Sequence, residues 1–256
     1  MASFSAYSQN LGLTYLYTTT ALSGALAKPS AIYLHLHTGA PGTTGANEVS
    51  DANYVPQNIV GQFGAAASRA IANNATINFA APAGSPGTVT YWSLWSTGTV
   101  NTGNFIASGA FTTGKVYDHA LVLNAGDLSI NVTASTGMST FDANLVLNFL
   151  FGTSGTRPTA WYLALMTAED GDAGGGTECA SDNYARESCT FTVTGNSAAT
   201  AATSFPTPSG NWGNMAYASV YDASTSGNLH AYGTASGGGS PASGDVVTLA
   251  VTATLT

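Results

Sequence analysis

Charge is what this sequence has least of. Lys, Arg, Asp and Glu together make up 7% of its 256 residues, against about 25% in an ordinary soluble domain. The only Lys and Arg are Lys28, Arg69, Lys115, Arg157 and Arg186, and the net charge is −8. Nothing here could neutralise a run of phosphates, so nucleic acid is excluded as a partner. No apolar run approaches the ~20 residues that cross a bilayer, so no membrane insertion is expected. Ala25-Leu26-Ala27 resembles a signal cleavage site, but no basic residue precedes it. Tyr15, Thr18, Thr19 and Thr20 also interrupt the apolar region, so the segment is expected to be a helix of the mature chain. Cysteine is nearly absent too. Cys179 and Cys189 stand ten apart, a spacing of neither metal nor redox sites. Two buried thiols and one short-loop disulfide both remain open. Disorder is excluded by a 44% hydrophobic and 10% aromatic content.

What the chain does have is a repeat, the first thing to look for in any sequence. Residues 31–54 read AIYLHLHTGAPGTTGANEVSDANY, and 160–184 read AWYLALMTAEDGDAGGGTECASDNY. Tyr33, Leu34, Leu36 and Thr38 align with Tyr162, Leu163, Leu165 and Thr167. Glu48, Asn53 and Tyr54 align with Glu178, Asn183 and Tyr184. Further matches follow in order: Phe79 with Phe205, Pro82 with Pro208, Tyr91-x-Ser93 with Tyr217-x-Ser219, Gly103-Asn104 with Gly227-Asn228, and Gly126-Asp127 with Gly244-Asp245. The chain therefore reads as a tandem duplication, with domains at 1–137 and 138–256, each long enough to bury its own core.

Leu11, Tyr15, Leu22 and Leu26 recur at helical spacing, and Pro29 closes that segment. Its counterpart is 141–151, where Ser139 or Thr140 is the expected N-cap and Asp142 lies in the first turn. Strands follow. Ile32, Leu34 and Leu36 alternate with Tyr33, His35 and His37, and Trp161, Leu163 and Leu165 alternate with Tyr162, Ala164 and Met166. Further β-like runs come at 57–63, 76–80, 88–96, 104–111 and 127–133, then at 185–194, 202–206, 214–222, 228–235 and 245–255. Gly, Pro, Asn and Asp punctuate them. The expected fold is mainly β: two tandem antiparallel β-sandwiches, each opened by a short α-helix.

Candidate sites are few. His35 and His37 share a strand face as a metal pair would, but their equivalents are Ala164 and Met166, so packing is the simpler expectation. Glu169, Asp170, Asp172, Glu178 and Asp182 crowd a Gly-rich loop, yet their spacing fits no known calcium loop and a solvated loop tip is expected. Trp95 and Trp212 are the candidates for sugar stacking, with strand core as the default. No nucleophile elbow, phosphate loop, zinc-binding helix or carboxylate pair shared by both repeats appears. The expectation is no enzyme, no cofactor and no metal.

The stretch L-H-T-G-A-P-G-x-x-G-A-N-E-V, from Leu36 to Val49, is followed by Asn53-Tyr54. It resembles the domains of tailed-bacteriophage virion proteins of the minor tail, tail-fibre-like or head-decorating type. Tyr184-Ala185-Arg186 resembles their Y-x-R strand start, and 221–233 (YDASTSGNLHAYG) their late Y-D-A-x-x-G-N-L-x-A-x-G segment. The first half departs at Val55-Pro56, where the resemblance implies an Arg. It also implies a structural component of the virion exterior, with other virion proteins of tail or capsid as partners. A carbohydrate-binding host-adhesion module is the alternative. Phe141, Leu145, Phe149, Leu150 and Phe151 nearly encircle the second helix, so that helix is expected at an interface, in a homo-oligomer and most simply a trimer.

Overall fold

The structure is a computed structural model that describes residues 3–18, 27–133, 138–152, 156–180, 183–236 and 238–255. The two helices begin in the same way. In α1 (Ala6–Tyr17) the Ser8 N–H donates to Ser5 Oγ at 3.1 Å, and in α2 (Thr140–Leu150) the Asp142 N–H donates to Ser139 Oγ at 3.1 Å. Each serine thus satisfies one of the donors that a helix start leaves free. Each is also pinned to a strand: Ser5 N–H to Ile106 O at 3.0 Å, and Ser139 N–H to His230 O at 2.9 Å. Leu22 and Leu26, expected in the first helix, lie outside the described residues.

The first repeat carries β1 (Ser3–Phe4), β2 (Tyr33–His37), β3 (Gln57–Asn58), β4 (Ala70–Ala72), β5 (Ile77–Phe79), β6 (Gly87–Trp95), β7 (Phe105–Tyr117), β8 (Leu121–Leu123) and β9 (Ser129–Asn131). Its main sheet runs β1-β7-β6-β2-β3, with β4-β9 and β5-β8 as paired ladders. The second carries β10 (Trp161–Ala168), β11 (Thr177–Glu178), β12 (Glu187–Cys189), β13 (Phe191–Thr194), β14 (Ser197–Thr200), β15 (Thr203–Ser204), β16 (Tyr217–Tyr221), β17 (Leu229–Thr234), β18 (Thr248–Leu249) and β19 (Thr252–Thr254). Its main sheet runs β11-β10-β16-β17 with β12 also on β10, and β13-β14-β19 and β15-β18 form the smaller sheets. Every pairing is antiparallel, and the fold is the mainly β architecture that the strand periodicity implied.

Register shows that the repeats are one design. Leu34 faces Leu94 and Leu36 faces Trp92; Leu163 faces Val220 and Leu165 faces Ala218. These side chains are buried, and the cross-strand pairs supply the packing that holds each sheet together. Tyr91 and Ser93 occupy the same register positions as Tyr217 and Ser219. The Gly103/Gly227 match also has a physical cause. Both residues have positive φ (73° and 82°), and a Cβ would lie 2.6 Å from Ser96 Oγ or Asp222 Oδ1. Only glycine fits there.

One sequence match does not survive. Gly126-Asp127 lies between β8 and β9, whereas Gly244-Asp245 lies before β18, the counterpart of β8. Both are turns in which the Asp carboxylate accepts an N–H three residues back (Asn124 at 2.9 Å, Ala242 at 2.7 Å), after a Gly of φ near +90°. Similar turn chemistry produced a likeness without topological equivalence. The strands β1, β4, β8, β11 and β14 fell outside the expected runs. Ala-Ile-Ala and Ser-Ala-Ala-Thr carry little alternation, and pairing with β9 and β19 makes them strands.

Packing divides the chain into two compact units. The first comprises Met1–Gly12, Ser23–Val132 and Leu147–Gly155; the second comprises Leu13–Leu22, Thr133–Val146 and Thr156–Thr256. In the first, Phe151 lies 5.3 Å from Phe63 and 6.3 Å from Phe4, ring centre to ring centre, and Asn148 Oδ1 accepts the Ala66 N–H at 2.8 Å. Lys28 Nζ donates to Gly152 O at 2.9 Å, just past the end of α2, where a cation is favoured. In the second, Tyr17 lies 4.5 Å from Phe191. Of the five apolar side chains noted on the second helix, Leu145, Leu150 and Phe151 are buried within the chain and Phe149 is half-buried. Phe141, 36% exposed, reaches solvent.

Phe151→Ala is expected to cost the first unit about 3–5 kcal/mol, read as a lower urea midpoint. Leu163→Asp, which buries an unpaired charge, should leave the second unit unfolded by circular dichroism. A wild-type melt for either variant would contradict these placements.

Candidate functional site

A strand at a sheet edge leaves main-chain groups without partners, and both repeats solve this problem at one place. On one side β2 pairs with β6 along its length. On the other it meets β3 at Tyr33 and Leu34, and Glu48 at His37. Leu36 falls in the gap. Its C=O accepts the Val49 N–H at 2.9 Å, and its N–H donates to the Tyr54 hydroxyl oxygen at 2.8 Å. The second repeat repeats the device. β12 pairs with β10 as far as Leu163 and β11 from Met166 onward. Leu165 in the gap accepts from Cys179 N–H at 3.0 Å and donates to the Tyr184 hydroxyl at 2.9 Å.

The tyrosine is held from every side. Its hydroxyl bonds the glutamate that both repeats share: Tyr184 donates to Glu178 Oε1 at 2.9 Å, and Tyr54 is bonded to Glu48. Its ring lies nearly parallel to Phe79 (12°) or Phe205 (11°), with Tyr117 or Trp212 edge-on. The preceding asparagine amide donates to Ala81 O at 3.2 Å in one repeat and to Thr207 O in the other. Burial, with the neighbouring carboxylate adding to it, pushes both phenols above their ordinary range.

The glutamate's second partner differs between repeats. Glu178 takes a two-pronged pair from Arg186, Nε to Oε1 at 2.9 Å and Nη2 to Oε2 at 2.7 Å. That guanidinium also lies 3.7 Å over the Tyr221 ring and donates to Ala223 O and Ser226 O at 3.1 and 2.7 Å. Burial works against its charge, but Glu178 outweighs burial and raises the group. In the first repeat Pro56 stands where Arg186 would be. There His35, aligned with Ala164, reaches Glu48 with Nδ1 at 2.6 Å. The departure at Val55-Pro56 is thus compensated from the neighbouring strand. The two differences, Pro56 for Arg186 and His35 for Ala164, were both visible in the repeat alignment, and only space joins them.

The remaining sequence candidates are engaged in structure. His37 donates from Nδ1 to Ala46 O at 2.8 Å and accepts the Ser93 hydroxyl at Nε2, 2.7 Å. Ser93 Oγ in turn accepts the Trp95 indole N–H at 3.0 Å. Burial holds this imidazole below its ordinary range. Asp170 is buried, not solvated. It accepts from Ser219 at 2.6 Å, Tyr221 at 2.7 Å and Gly176 N–H at 2.9 Å. Asp172 accepts from Thr140 at the start of α2, and Glu169 is exposed. Asp182 lies outside the described residues. No grouping of three or more His, Cys, Asp or Glu is placed to hold a metal ion among the described residues. Cys179 and Cys189 are free thiols; burial pushes them up to about 11 and about 12. Trp95 and Trp212 are each 2% exposed and present no face to a sugar ring.

The family model described as "Podophage GP4 fiber I protein gp80" matches residues 3–132 and 137–255, one match per repeat. No curated protein matches the chain.

Tyr54→Phe and Tyr184→Phe should each cost about 1–3 kcal/mol, because a buried leucine N–H loses its acceptor. Amide exchange at Leu36 or Leu165 should accelerate in the same variant. Both cysteines should react with a thiol reagent slowly in the native protein and fully in denaturant, without prior reduction.

Proposed function

We propose a role for this chain from one premise: it belongs to the podophage fibre family, whose model spans both of its repeats. It is a structural component of a tailed-phage virion with two tandem copies of one domain. Within the virion we assign it to the tail-fibre apparatus on the particle exterior, where it works through protein–protein interfaces with other virion proteins. The observation that supports this reading is the use made of the polar side chains. The polar pair that both repeats share, Glu48 with Tyr54 and Glu178 with Tyr184, is spent on closing a strand edge. Such a framework gives rigidity and leaves the surface free to carry contacts.

We take the repeat boundary at 137/138, next to the interval between the two matched segments, 3–132 and 137–255. The assembly reading is a homo-oligomer, with a trimer favoured. Virion axes are threefold, fivefold or sixfold, and closed oligomers repeat one interface by symmetry. Two like domains per chain let a trimer offer six near-equivalent modules to a sixfold site. Phe141, exposed at the start of α2, is the apolar anchor of that interface.

Antibody against the chain should label the tail in negative stain of intact particles. Label on the head would replace the fibre role with capsid decoration, and label at the collar would indicate a minor tail component. Light scattering of purified protein should give three chains per particle. A monomer that persists at high concentration, with no copy touching another on the virion, would end the trimer reading.

A further inference from the structure

The second unit contains a buried charged cluster that closing the strand edge does not require. His230, on β17, and Asp142, in the first turn of α2, are both 0% exposed. His230 Nδ1 bonds Asp142 Oδ1, and the other Asp142 oxygen accepts the Tyr17 hydroxyl at 2.9 Å. His230 Nε2 has no hydrogen-bond partner, but Asp222 Oδ2 stands 3.6 Å from it, an ion-pair separation. The Phe141 ring meets the imidazole edge-on at 5.3 Å. Asp222 is held by Asn228, whose N–H and side-chain amide donate to its two oxygens at 2.7 Å each. Arg157 lines the hollow beside Asp222 and Phe141, and Cys189 adds its influence at Tyr17. Both imidazole nitrogens therefore face carboxylates. A neutral ring would direct its Nε2 lone pair at Asp222, whereas an imidazolium compensates both acids.

We propose that Tyr17, Asp142, His230 and Asp222 form an alkaline-labile latch, which fixes the first turn of α2 to β17 while His230 keeps its proton and loosens when the proton leaves. The same turn carries the other fastenings of that helix end: Ser139 N–H on His230 O, the Met138–Ala231 bridge, and Thr140 on Asp172. Loss of the proton leaves two carboxylates facing an uncharged ring, one of them, Asp142, fully buried. The repeat comparison supports a role particular to the second unit. The positions aligned with Asp142, His230 and Asp222 hold Ser8, Ile106 and Ser96, and there Ser8 Oγ simply donates to Ile106 O at 2.8 Å.

Burial alone would lower His230, but Asp142 and Asp222 outweigh it and hold the imidazole above its ordinary range. A histidine raised on folding contributes stability that is fully present below its unfolded value of about 6.5 and is lost as pH rises through the folded value. The test is the full chain, melted at a series of pH values from 6 to 9, with the His230 ring followed by NMR. Its resonance is identified by its absence in His230→Gln. The expected result is a ring midpoint above 6.5. The melting temperature should fall between pH 6.5 and 9 by roughly 3–5 °C for each unit by which the ring is raised. His230→Gln should flatten that fall. Should this variant not fold, Asp222→Asn decides, because it keeps the shape and should move the ring midpoint and the fall to lower pH. A ring midpoint at or below 6.5, a melting temperature constant from pH 6.5 to 9, or an Asp222→Asn variant identical to wild type would overturn the latch.

Discussion

The N–H of one leucine in each repeat, Leu36 or Leu165, is the group on which the rest of the repeat depends. Each first strand is covered on its outer edge by two separate short segments, and the leucine sits where they fail to meet. A buried N–H without a partner is costly, so something must enter the gap. A tyrosine hydroxyl does. To bring it there, the chain must run out through a Gly-rich loop and return with Asn-Tyr in register, and the ring must be clamped between aromatics. The glutamate that accepts the phenolic hydrogen bond is held in turn by a second side chain, His35 or Arg186. Loop, Asn-Tyr, glutamate and aromatic pair are thus consequences of one main-chain donor.

Few charges go into this frame, and those present are paired inside it. Arg186 meets Glu178, His35 meets Glu48, and Asp170 collects two hydroxyls and an N–H. Removing one partner of such a part-buried pair would strand the other, so each pair fixes the geometry around it.

The repeats show how such a frame diverges. The glutamate's partner differs, Arg186 on a loop position in one repeat and His35 on a strand position in the other, while the carboxylate keeps its place. The first repeat extends its β6–β7 hairpin through Gly87–Tyr117 and Val89–Lys115, while β16 begins only at Tyr217. The second repeat gained the buried Asp142–His230 pair where the first has serine and isoleucine. The register of the central strands did not change, because a one-residue slip would turn every leucine away from the core.

The sequence by itself determined the duplication, the mainly β class, an opening helix in each repeat with Ser139 or Thr140 as the cap of the second, the alternating faces of β2 and β10, and the kinship to phage virion proteins. All of these rest on local periodicity, on turn and cap chemistry, or on matches in fixed order. Only tertiary structure decided why Tyr54 and Tyr184 are kept, which strands form from Ala70–Ala72 and Ser197–Thr200, and that His35 stands in for Arg186. It also decided that Trp95 and Trp212 are buried, that the Gly-Asp turns are unrelated in topology, and that Phe151 packs with Phe4 and Phe63. Each of these depends on groups brought together from distant positions, where burial and hydrogen-bond satisfaction override the preference of the local segment.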